Sequence, residues 1–371
     1  NYFDYNYPLP EGDTPFSITT ETSICPWNPE NRIVMIGLKG AEIPKNELPP
    51  SNLVFLLDVS GSMSNENKLP LLKKAMELLV EELDSRDRIT IAVYAGAAGV
   101  VLDSTPGDAS EEIINAFSKL KAGGSTAGGA GIELAYKIAE ENFIEGGNNR
   151  VIIGTDGDFN VGISSTSDLV RMIEEKREQG IFLTILGFGM GNYKDSRMES
   201  LADKGNGNYA YIDTINEARK VLVEGLSGTM LTIASDVKIQ IEFNPAYVGE
   251  YRLVGYENRV MDAQDFDNDK KDAGEIGAGH SVTALYEIVP AEGVEPVSLR
   301  YQDISPAGDA AENGELAYLK LRYKTPGEAE SILSEEPVGS LASDNPSENI
   351  RFAAAVAEWG MILRKSEHAP D

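Results

Sequence analysis

The chain has 371 residues, is 42% apolar, and carries a formal net charge of −28, from 32 Lys and Arg against 60 Asp and Glu. That acidity argues against a nucleic-acid partner, whose phosphates would be repelled, and against an electrostatic hold on anionic lipid; it favours divalent cations and basic protein surfaces. Cys25 is the only cysteine, so no internal disulfide framework exists.

The length suggests two or three domains of ~100–200 residues each. No run approaches the ~18 apolar residues needed to span a bilayer, and Asn1 reads as the start of a processed or trimmed chain. In chain order, the aromatic start at Tyr2, Phe3, Tyr5 and Tyr7 reads as a strap over a β domain. Phe16–Thr22 and Arg32–Leu38 read as strands, and the Pro-rich stretch Glu42–Ser51 as a linker.

From Asn52 to about Met230, strands alternate with helical patterns, the signature of a mostly parallel, doubly wound α/β sheet. The expected strands are Leu53–Leu57, Arg88–Tyr94, Val100–Leu102, Asn149–Thr155, Ile181–Phe188 and Tyr209–Ile212. The expected helices are Lys68–Leu83, Ser110–Leu120, Ala127–Phe143, Thr166–Gln179, Lys194–Asp203 and Ile215–Gly228. After Met230 the period changes to two, with Val237, Ile239, Ile241 and Phe243 alternating. Tyr251–Tyr256, Ser281–Val289 and Leu316–Tyr323 follow as further strands of an antiparallel β-sandwich. The two N-terminal strands are expected to pair with these, so that the α/β unit is inserted in the sandwich. The last segment reads as a helix with Asn345 as N-cap, Pro346 at its first position and an apolar stripe of Phe352, Val356, Trp359 and Leu363. The domain boundaries expected are 1–50 for the N-terminal strands, 51–230 for the α/β unit, 231–344 for the β domain and 345–371 for the final helix.

The chemistry concentrates where the strand Leu53–Leu57 ends. Asp58, Ser60 and Ser62 place oxygen-bearing side chains at alternate positions, and Gly61 lets the backbone turn between them. Thr126 follows Gly123, Gly124 and Ser125 just before a helix, and Asp156 follows the strand Asn149–Thr155. In open α/β sheets, ligands bind at the carboxyl ends of strands, at a topological switch point. If these strands are neighbours, Asp58 and Asp156 meet there. Two buried carboxylates repel each other without a cation between them. The donor set is all hard oxygen, which suits Mg²⁺, Mn²⁺ or Ca²⁺.

Asp58-Val59-Ser60-Gly61-Ser62, Thr126 and Thr155-Asp156-Gly157 resemble the metal-ion-dependent adhesion site of von Willebrand factor type A domains. The resemblance covers roughly residues 52–230. It implies that Ser60, Ser62 and Thr126 bind a divalent ion, most readily Mg²⁺, through side-chain oxygens. Asp58 and Asp156 would act directly or through water. An acidic side chain of a protein partner would fill the open coordination position, and the helix Ile215–Gly228 would respond to a change of ligands. The flanks Tyr251–Arg259 and Asp272–His280 are similar to those of bacterial exported or lipoprotein-type members. That implies an exported, periplasmic or cell-surface location, with any lipid anchor on a segment absent from this sequence.

Other motifs weigh less. Asp265, Asp267 and Asp269 alternate like a Ca²⁺ loop, but Lys270 stands where the turn glycine belongs. Gly187, Gly189 and Gly191 are misplaced for a dinucleotide loop. Asp158 reads as a supporting or solvated carboxylate, and Cys25 as a small buried residue. His280 and His368 have no nucleophile motif nearby. The functional expectation is a metal-dependent protein-binding or adhesion module and not an enzyme. The alternatives are a metal-dependent phosphohydrolase, for which Ser60 stands where the acid or base should be, and a purely structural assembly domain.

Overall fold

The computed structural model describes residues 3, 5–95, 97–124, 129–157, 166–189, 195–224, 231–255, 261–269, 273–291, 314–328, 330–339 and 345–369. They divide into two compact units, Pro44–Leu231 and the combination of Asn1–Ile43 with Thr232–Asp371.

The first unit is built on strands β3 (Ser51–Asp58), β4 (Arg88–Ala95), β5 (Ala97–Pro106), β6 (Asn148–Thr155), β7 (Ile181–Phe188) and β8 (Tyr209–Ile212), numbered after the two strands that precede them in the chain. Their order is β5-β4-β3-β6-β7-β8, parallel throughout except for β5 against β4. All eight residues of β3 are buried, which explains its unbroken apolar run. Leu53, Phe55 and Leu57 face one core with α1 (Leu69–Val80), α2 (Ser110–Lys119) and α6 (Ile215–Arg219). Val54 and Leu56 face the other, with α3 (Gly129–Glu141), α4 (Thr166–Glu178) and α5 (Asp195–Lys204). Each buried Leu or Phe of this strand contributes roughly 1.5–3 kcal/mol of burial free energy, so the central strand is held from both sides. The helix expected over Ile215–Gly228 is α-helical only to Arg219 and continues as a π-helical turn over Lys220–Glu224; residues 225–230 lie outside the described residues.

The second unit is a sandwich of two antiparallel sheets. One has the order β1 (Phe16–Ile24), β2 (Arg32–Gly40), β12 (Ser281–Pro290), β10 (Val248–Val254). The other has the order β11 (Gly274–Gly277), β9 (Thr232–Phe243), β13 (Glu315–Lys324), β14 (Ile332–Gly339). β2 pairs with β12 from Lys39↔Ser281 to Arg32↔Ile288, so sequence-distant strands are neighbours. Val34, Ile36 and Leu38 face the inter-sheet core with Leu319, Leu321 and Ala284. Ile33 and Met35 face the opposite way, under Tyr5, Tyr7 and the final helix, α7 (Glu348–Arg364). Both faces of β2 are therefore covered, and an antiparallel strand acquires a continuous apolar sequence. The aromatic start is a strap: the Tyr7 hydroxyl pairs with Thr283 Oγ1 at 2.8 Å, and its ring lies over Gly37, where a Cβ would come within 2.3 Å of Tyr7 Cζ.

Two expectations for this unit are corrected. The N-cap of α7 is Ser347, whose hydroxyl accepts from the Ile350 N–H at 3.3 Å, and not Asn345. Ser347 is itself fixed by its N–H, which donates to Glu21 Oε1 at 2.8 Å. The buried stripe of α7 is Ile350, Ala353, Ala354 and Met361, whereas Phe352, Trp359 and Leu363 are exposed. Small residues let the helix approach the sheet closely, and the larger stripe is left outside. The acidic loop around Asp265–Asp269 is held by cations of the chain itself. Arg322 donates to Asp267 at 2.9 Å, Lys324 to the Asp269 carbonyl at 2.7 Å and Lys238 to the Asn268 carbonyl at 2.7 Å. Residues 270–272 lie outside the described residues.

Candidate functional site

β3 and β6 run side by side in parallel, with Leu57 opposite Gly154, so their carboxyl ends open at one place. The strand order departs from β3 in both directions there, to β4 on one side and β6 on the other, which makes this edge the switch point. Asp58 closes β3 and is wholly buried; its Oδ1 accepts from the Ser60 N–H at 2.8 Å, a turn that fixes the carboxylate. Ser60 is 2% exposed, and its hydroxyl pairs with that of Ser62 at 2.9 Å. The next loop is tied on by Gly123 N–H to the Val59 carbonyl at 2.8 Å and by Gly61 N–H to the Gly124 carbonyl at 3.2 Å. These bonds fix the chain as far as Gly124; Ser125, Thr126 and Asp158 lie outside the described residues.

Asp156 follows β6, and its side chain is buried, 4% exposed. Two carboxylate oxygens, Asp58 Oδ2 and Asp156 Oδ1, are buried with no well-placed donor. Burial pushes the Asp58 carboxyl above its ordinary range; the Ser60 hydroxyl and N–H partly offset this, and the charge of Asp156 adds to it. Below them Tyr94, buried and opposite Asp58 in the β3–β4 register, has its phenol pushed far up by burial and then by Asp58, so it stays neutral. Orphaned carboxylate oxygens beside hydroxyls are the donor set of a hard divalent cation, and a cation there would remove the repulsion between the two acids. Among the described residues, no group of three or more His, Cys, Asp or Glu gathers as an alternative metal site.

Lys68 was not singled out by sequence reasoning. Its ammonium sits 2.8 Å from Asp156 Oδ2 and 3.0 Å from the Ser62 carbonyl. The signal available was a cation at the last position before a helix, where the helix dipole disfavours it.

The raised Asp58 carboxyl has a consequence for metal-free protein. A carboxyl whose folded value is raised holds more protons in the folded than in the unfolded chain between the two values. Stability therefore falls as pH climbs from near 3.8 through that raised value. Denaturant titrations in chelator should show wild type losing stability over this rise relative to Asp58→Asn. Parallel curves would count against the carboxylate's being strained.

Residues 52–223 match the family profile described as von Willebrand factor type A domain, residues 228–371 the one described as Uncharacterized protein YfbK, C-terminal, and residues 1–35 one described as von Willebrand factor. Residues 52–223 have the von Willebrand factor type A fold, and the match to the YfbK C-terminal profile adjoins it. The chain is 43% identical over 376 residues to the Escherichia coli (strain K12) protein described as Uncharacterized protein YfbK, a match covering 99% of this chain and 65% of that protein's length. Inter-alpha-trypsin inhibitor heavy chain H4 of Homo sapiens is 31% identical over 149 residues, 38% of this chain and 16% of that protein. The solved structure described as von Willebrand factor type A from Catenulispora acidiphila superposes with a TM-score of 0.52 at 17% identity, over 98% of this chain and 82% of that one; it is a likeness of fold. Von Willebrand factor type A domains are generally protein-interaction and adhesion modules.

Proposed function

We propose that the chain is a metal-dependent protein-binding module in which Asp58, Ser60, Ser62, Thr126 and Asp156 hold a divalent cation, Mg²⁺ before Mn²⁺ or Ca²⁺. The cation, when bound, supplies an open coordination position for an acidic side chain of a protein partner. The observation that carries this reading is the pair of buried oxygens without a well-placed donor, Asp58 Oδ2 and Asp156 Oδ1, at the sheet's switch point. On a chain of net charge −28, an acidic partner group finds attraction only where positive charge is concentrated. The residues themselves orient the site: the Ser60 N–H fixes Asp58, and the Ser60–Ser62 hydroxyl pair presents oxygens beside it. An exported, periplasmic or cell-surface setting belongs to the same proposal.

A hydrolytic reading has less support, since the position two residues after Asp58 is Ser60, which cannot act as the acid or base of phosphoryl transfer. The test of the binding reading is retention of the chain on an immobilised Glu-containing peptide in millimolar Mg²⁺. Retention is expected to disappear in chelator and with the peptide's Glu changed to Gln. Retention that survives chelation would contradict the metal bridge.

A further inference from the structure

The carboxylates of the candidate site are not left bare: one of them already has a cation, supplied by the chain. Lys68 is the residue immediately before α1, and it gives that helix no side-chain cap. A cation at a helix start faces the positive end of the dipole, so the position is unfavourable unless something else compensates. The compensation is on the neighbouring loops. Lys68 Nζ bonds Asp156 Oδ2 at 2.8 Å and the Ser62 carbonyl at 3.0 Å, with the Lys68 side chain 16% exposed and that of Asp156 4% exposed. The ammonium thus bridges the β3 and β6 loops, the same two that supply Asp58 and Asp156.

The stem of Lys68 is also guided. Gly189, at the end of β7, has a φ of +97°, and a Cβ there would come within 2.5 Å of Lys68 Cε. Only glycine combines that backbone conformation with room for the stem to pass. The Gly189 carbonyl in turn accepts from the Tyr211 hydroxyl, which ties the turn to β8.

We infer that Lys68 is a tethered counter-cation that competes with the divalent ion for Asp156, setting the affinity of the site. The inference rests on the metal-binding reading of Asp58 and Asp156. In the metal-free chain the ammonium neutralises one buried acid and joins the two loops. The ammonium on Asp156 Oδ2 repels an ion arriving at the neighbouring Oδ1, so the ion is held fully only where the Lys68–Asp156 pair opens, and the apparent affinity falls by the fraction of molecules in which it is open. The ion is therefore held more weakly than its oxygen ligands alone would hold it.

The test is a calorimetric titration of chelator-stripped wild type, Lys68→Met and Lys68→Arg with Mn²⁺ alone, with melting curves of the metal-free proteins. Met keeps the stem beside Gly189 and removes the charge; Arg keeps a charge. If the pair is closed about nine-tenths of the time, Lys68→Met should bind Mn²⁺ about tenfold more tightly. It should also melt lower without metal, and Lys68→Arg should stay near wild type. Lys68→Gln serves the same purpose should the Met variant not fold. Equal affinity in wild type and the neutral variant would overturn the competition while leaving the metal site standing. Weaker binding would overturn it in favour of Lys68 as a residue that positions Asp156 for the ion. Absence of Mn²⁺ binding in every variant would refute the metal reading and this inference with it.

Discussion

Asp58→Asn is expected to weaken divalent-cation binding by at least about a hundredfold while leaving the metal-free chain as stable as wild type or more so. Loss of a group that merely supports a metal ligand costs 10–100-fold, and a carboxylate facing the ion should cost no less. The stability half of the expectation comes from burial. Asp58 is wholly buried, with its Oδ2 lacking a donor and its carboxyl pushed up by desolvation and by Asp156. Asparagine keeps an oxygen for the Ser60 N–H and removes one of two neighbouring charges. The contrast is read in thermal melts with and without Mg²⁺. At a concentration a hundredfold over the dissociation constant, wild type gains about 2.7 kcal/mol, and Asp58→Asn, bound a hundredfold more weakly, should gain no more than about 0.4 kcal/mol. An undiminished Mg²⁺ shift in the variant would place the ion elsewhere.

The second large effect belongs to the β unit. Glu287, 7% exposed on β12, accepts from Trp27 Nε1 at 2.9 Å, Asn31 Nδ2 at 2.6 Å and Arg252 Nε at 2.9 Å. Burial alone would raise its carboxyl; the donors and the Arg252 charge outweigh that and hold it below the ordinary range. One carboxylate thereby joins the turn before β2 to β12 and β10. Glu287→Ala leaves a guanidinium and two N–H donors without their acceptor. Breaking a buried pair costs 3–5 kcal/mol, and the partial exposure of Arg252 puts the expectation near the lower end, at about 3 kcal/mol. For a unit of this size the melting temperature should fall by about 6–12 °C. Because the folded carboxyl is depressed, its contribution is present above 4.5 and is lost as pH falls through the folded value. A change within a degree or two would mean that solvent replaces the acceptor without cost.

The features legible in the sequence are those that burial on both faces writes into it. β3 reads as an apolar run because two helical layers cover it, and the acids after β3 and β6 stand together because those strands are neighbours. β14 was not legible: Ile332–Gly339 is an edge strand with Glu335, Glu336 and Pro337 in it, and pairing to β13 alone gives it no apolar alternation. The last helix carries two stripes of equal period. The large one reads as core, yet Ala353 and Ala354 are buried because the strap and β2 leave room only for small side chains. Lys68 escaped because a lysine beside a helix start reads as solvated surface until the fold brings Asp156 beneath it.

A divalent cation at Asp58 and Asp156 is tested most directly by calorimetric titration of the chelator-stripped chain with Mg²⁺ and with Mn²⁺, run beside Asp58→Ala. One-site binding of at least one of these ions by wild type, and none by the variant, is the expected result. Binding of equal strength in both, or no binding by the wild-type chain, would contradict a divalent cation held by Asp58 and Asp156.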